Sequence, residues 1–132
     1  MDSSSIDLPG SEVESIKIEQ DTVVLRFSRA IIIKTMTGSV ERTRWWQAGE
    51  LIFEGAEVEG DLPDMPGICD GGDVGENIYT YRDMIPVQLE SRGRAHCDLR
   101  FRDSDKKLVV QAEAVKLVME DRPHYIEHIR PE

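Results

Sequence analysis

The chain has 132 residues, 39% hydrophobic and 32% charged, with a formal net charge of −10. A chain of that length can bury one hydrophobic core without metal or disulfide staples, and the mixture is that of a folded domain rather than a disordered segment. The acidity argues against nonspecific binding to nucleic acid and against adsorption to anionic membranes, since both need clustered Lys and Arg; it favours solubility and fast encounter with a basic partner.

Residues 1–132 are therefore read as a single domain, opening on a polar N-terminal tail, 1–12, that includes Leu8-Pro9-Gly10. The first seven residues have neither the basic flank nor the apolar stretch of a secretory signal. The longest uninterrupted apolar run, Ala30-Ile31-Ile32-Ile33, is far below the roughly 20 residues of a membrane-spanning helix. A cytoplasmic location is the expectation, and Cys69 and Cys97, the only cysteines, are expected to be free thiols.

Along the chain, Ile16-Lys17-Ile18-Glu19 begins an apolar/polar alternation, Gln20-Asp21 reads as a turn, and Val23, Leu25 and Phe27 continue the alternation, which predicts a β-hairpin. Ala30 to Thr37 and Val40 to Trp46, separated by Gly38-Ser39, predict two further strands. Leu51 and Phe53 alternate with Ile52 and Glu54, and Gly55 shifts the phase before Ala56 and Val58, the pattern of a β-bulge. Residues 60–76 hold Pro63, Pro66, Gly67, Gly71 and Gly72 among acids and show no sustained period; they read as a long acidic Gly/Pro loop of the kind that is often functional.

Beyond it, Ile78 to Glu90 is extended around Pro86, which suits an edge strand or a bulge rather than a central strand. Ala95, Cys97, Leu99 and Phe101 then form one face of a strand whose other face is Arg94, His96, Asp98, Arg100 and Arg102, giving one dry and one wet side. Asp103-Ser104-Asp105-Lys106 turns the chain. Leu108 to Glu120 fits a helical stripe as well as a strand; the strand is favoured because Leu108, Val110 and Ala112 keep period two and Val115, Leu117 and Met119 resume it after one slip. His124 to Ile129 adds a short final strand after Pro123. The expectation is an all-β domain, an antiparallel barrel or sandwich of about eight or nine short strands.

The C-terminal half, with Tyr81-Arg82-Asp83-Met84-Ile85-Pro86, Gly93 followed by the Leu99-Arg100-Phe101 strand, and Tyr125-Ile126-Glu127-His128-Ile129, resembles a group of small bacterial proteins for which no activity is established. The resemblance implies a bacterial β-domain and transfers no catalytic residue.

No catalytic constellation stands out. His96, His124 and His128 lack the third and fourth partners of a zinc site, Asp70, Asp73 and Glu76 lack EF-hand spacing, and Gly71-Gly72 is followed by acids rather than by the Lys and Ser/Thr of a phosphate loop. No metal, cofactor or catalytic residue is assigned. Trp45-Trp46 must point to opposite faces of a strand, one into the core and the other outward as a contact residue. From Glu50 to Glu76 stand nine acids and no Lys or Arg; Asp61, Asp64, Asp70, Asp73 and Glu76 are the expected contacts for a basic protein surface. The reading is a non-enzymatic interaction domain. An immunity-type protein neutralising a basic toxin and a small metal-dependent enzyme using the histidines are the alternatives, and a homodimer through the tryptophans and Ile31-Ile32-Ile33 is a further expectation.

Overall fold

The computed structural model describes residues 3–130, which contain ten strands and no helix. In chain order these are β1 (Ser3–Glu19), β2 (Thr22–Thr35), β3 (Arg42–Glu54), β4 (Glu57–Glu59), β5 (Gly67–Glu76), β6 (Tyr79–Arg82), β7 (Met84–Pro86), β8 (Glu90–Phe101), β9 (Lys107–Met119) and β10 (His124–Ile129). Six of them close an antiparallel barrel in the circular order β1-β2-β3-β9-β8-β5. The β1–β5 seam that completes the circle is short, pairing Glu12 with Ile68 and Val13 with Gly67.

The all-β class and the barrel agree with the sequence, but the strands are longer than expected. Residues 3–12 of the expected tail are the first half of β1, Met1 and Asp2 lying outside the described residues, and the separate strands expected around Ile31 and Phe27 are one strand, β2. Bulges caused the misreading: β2 places Val23, Leu25 and Phe27 inside, spends an extra residue between Phe27 and Ala30, and continues with Ala30 and Ile32 inside. A bulge breaks period two without breaking the strand.

Beyond those bulges β1, β2 and β3 run out of the barrel as a wing of the same ten-stranded sheet. Their other halves pair as Ser5 with Ile33 and Ile33 with Arg44, flanked by β7 on one side and β10 on the other. This five-stranded wing, ordered β7-β1-β2-β3-β10, packs its inner residues Ile6, Ile32 and Ile85 into the same core as Leu25, Phe53 and Leu99 of the barrel. At the bend in β1, Ser11 is the one buried polar residue among those described; its hydroxyl donates to the Asp7 carbonyl (2.6 Å) and accepts from the Ile31 amide (3.0 Å). The hydroxyl thus serves a backbone group on each strand where the β1–β2 register shifts.

The expected loop 60–76 is an irregular segment only through residue 66; Gly67–Glu76 is β5, a barrel strand between β1 and β8. Its glycines are there for close approach. A side chain at Gly72 would run into the Asp98 carbonyl, and one at Gly75 into the His96 ring folded over it. Asp70 is the extra residue of a bulge between Cys69 and Gly71. Gly55, expected to form a bulge, instead ends β3 at positive φ before β4 begins.

Two substitutions test this architecture. Ser11→Ala strands two buried backbone groups and is expected to lower the unfolding free energy by about 2 kcal/mol or more, seen as a fall in urea midpoint with an unchanged slope. Gly72→Ala, at φ 137° and against backbone, is expected to lose about 3 kcal/mol or more. Gly60→Ala, whose added carbon meets nothing, should lose only the left-handed penalty of about 1 kcal/mol.

Candidate functional site

The two tryptophans of β3 do point to opposite faces of the wing, yet neither is fully in the core and neither is bare. Trp45 packs partly against the core, with the Lys34 ammonium 4.5 Å over its ring and Tyr125 edge-on at 5.2 Å. Trp46 on the outer face stacks on His124 at 4.1 Å and lies 4.5 Å from the Arg29 guanidinium. Each indole thus holds β10 to β3 through an aromatic neighbour and takes a cation from β2, a contact worth about 0.5–1 kcal/mol at such partly exposed sites. Sequence spacing supplied the two faces; the partners come from strands β2 and β10.

The acidic run from Glu50 to Glu76 is divided by the fold. Glu50 joins Glu14 and Glu120 around Arg26, whose pKa is raised chiefly by its hydrogen bond to Glu120. Glu54 pairs with Lys116 (3.6 Å) and Asp73 with Arg82 (3.3 Å). Asp70 and Glu76 sit on β5, Asp70 at its bulge and Glu76 opposite Ala95 of β8, and so apart from β4. What remains contiguous is Glu57 and Glu59 on the edge strand β4, with Asp61 and Asp64 just beyond, all exposed and none in an ion pair among the described residues. Trp45 and Trp46 lie near the start of β3 whereas β4 follows its end, so the two sets of expected contacts do not form one site.

The histidines do not converge either. His96 covers Gly75 on β5, His124 stacks on Trp46, and His128 contacts the Tyr125 hydroxyl and Glu41 at 3.2 Å each. Among the described residues no three His, Cys, Asp or Glu side chains are grouped so that they could hold a metal ion. Cys69 and Cys97 are both buried free thiols; burial pushes Cys69 up to about 11 and raises Cys97 further still, so both stay protonated and poorly nucleophilic near neutral pH.

A constellation that sequence reasoning missed occupies the outer face of the wing. Asp7 of β1 and Arg42 and Arg44 of β3 line a depression of about 250 Å³ together with Ile33, Met84 and Ile129. The register explains the grouping: Asp7 lies opposite Met84, Ile33 opposite Arg44, and Arg42 opposite Ile129, and residues directly opposite in a ladder share a face. Arg44 is held by Glu127 at 2.7 Å. The Asp7 carboxylate makes no hydrogen bond or ion pair among the described residues, and burial raises its pKa against the opposing pull of Arg44 and Arg42. The signal that could have found it was the alternation of Ser5, Ile6, Asp7 and Leu8, hidden in what was read as a tail.

No family model, no curated protein and no solved structure matches this chain. The class is accordingly defined by the architecture itself, a closed six-stranded antiparallel barrel extended by a five-stranded wing.

Because the folded-state pKa of Asp7 is raised, the folded chain binds that proton more tightly than the unfolded chain. The stabilising effect is complete below the unfolded carboxyl's pKa and is lost as pH rises through the folded value. Asp7→Asn removes the ionisation, so its melting temperature is expected to exceed the parent's at pH 7 and to equal it near pH 3. Thermal denaturation at the two pH values checks this; a variant less stable than the parent at pH 7 would contradict it.

Proposed function

We propose that the protein is a non-enzymatic interaction domain that engages a basic protein surface through β4 and the segment following it. The observation that carries this reading is that Glu57, Glu59, Asp61 and Asp64 are exposed, close in sequence and without an ion-pair partner among the described residues, while Glu50, Glu54 and Asp73 are each matched to a cation. Unmatched like charges repel one another, and a complementary surface relieves that repulsion and accelerates encounter. Among the described residues no strand pairs with the outer edge of β4, which leaves that edge for an extended segment. Its glutamates would disfavour pairing with another acidic edge, including its own copy.

The test is affinity capture from cell extract with the parent and with a variant carrying Glu57→Gln, Glu59→Gln, Asp61→Asn and Asp64→Asn. The parent is expected to retain a basic protein that is released by salt, and the variant to associate about tenfold more slowly with it at an undiminished melting temperature. A partner that binds both forms equally at low salt would reduce the acidic edge to a solvated surface.

A further inference from the structure

The depression on the outer wing face combines charges of both signs with an apolar wall, and its residues come from five different strands. Asp7 offers a half-buried carboxylate with no hydrogen-bond donor of its own. Arg42 is exposed and forms no hydrogen bond or ion pair among the described residues. Arg44, by contrast, is held by Glu127, so it shapes the depression rather than offering a free charge. Ile33, Met84 and Ile129 supply the apolar part, all partly exposed.

The charge pattern selects among ligands. A simple carboxylate or phosphate drawn to Arg42 would also face Asp7 and the negative charge of Asp83, which acts on Asp7 more strongly than Arg42 does. A simple amine drawn to Asp7 would face both arginines. A molecule carrying one charge of each sign satisfies both ends, and the volume of about 250 Å³ falls below the roughly 300–1,000 Å³ of sites for drug-sized molecules. We propose that this depression binds a small zwitterion of the apolar α-amino-acid class, its ammonium on Asp7, its carboxylate on Arg42 and its side chain against Ile33, Met84 and Ile129. A carboxylate retained half-buried without a partner is the kind of locally unfavourable placement that ligand sites preserve.

The experiment is a titration of the full chain with L-leucine, followed by NMR of the isoleucine and methionine methyl groups. Saturable shifts are expected at Ile33, Met84 and Ile129. Two analogues separate the charges: 4-methylpentanoate lacks the ammonium and 3-methylbutylamine lacks the carboxylate, and each is expected to bind at least tenfold more weakly than leucine. Asp7→Asn should weaken leucine tenfold or more and erase its advantage over 4-methylpentanoate; Arg42→Gln should do the same with respect to 3-methylbutylamine. Both variants change only partly exposed groups, and their melting curves report folding independently. The proposal is overturned if leucine gives no saturable shift at these methyls up to about 20 mM, beyond the millimolar range of weak sites. It is also overturned if Asp7→Asn binds leucine like the parent, or if the methyl signals change with protein concentration alone, which would assign the face to a second copy.

Discussion

The Ser11 hydroxyl is the contact on which the architecture turns. Strands β1 and β2 each run from the barrel into the wing, and a β-ladder can shift register there only if the groups freed at the shift are satisfied. One buried side chain serves both, taking the Ile31 amide and giving its proton to the Asp7 carbonyl. The bend it stabilises keeps Ile6 and Ile32 in the core while Val13, Leu25 and Phe27 line the barrel, so a single core runs under barrel and wing.

Splitting long strands in this way has a consequence for chemistry. A barrel presents only its outer surface, whereas the wing gathers five strands side by side, and among the described residues no strand forms a second layer on their outer face. Polar and apolar side chains therefore meet there as neighbours: Asp7 beside Met84, Ile33 beside Arg44, Arg42 beside Ile129. Trp46 belongs to the same face, where His124 and Arg29 cover it. The inner face holds Trp45 between Lys34 and Tyr125 by the same logic.

Electrostatics follow from strand pairing rather than from chain order. Arg26 collects three glutamates that stand far apart in the sequence, at 14, 50 and 120, because β1, β2 and β3 are adjacent and β9 ends beside β3. Neutralisation of Glu50, Glu54 and Asp73 leaves β4 and the segment after it as the contiguous unmatched stretch of the acidic run. An edge strand is where unpaired acids are best solvated, since nothing packs outside it, and where they also discourage indiscriminate strand addition.

By itself the sequence determined the strand content. Period two around Val23 to Phe27, Ala95 to Phe101 and Leu108 to Ala112 requires one buried face, and the turns at Gln20-Asp21 and Asp103 to Lys106 join neighbouring strands. It also determined that Trp45 and Trp46 face opposite ways and that Cys97 points inward. Tertiary structure alone decided the rest. Gly71-Gly72 resembles a loop until β8 is seen pressed against it, and residues 3–12 resemble a tail until β2 and β7 flank them. The juxtaposition of Asp7, Arg42 and Ile129 arises from strand register over 35 and 87 residues of separation, and register depends on bulges whose positions local periodicity does not reveal, because an inserted residue and a true chain break interrupt the pattern alike.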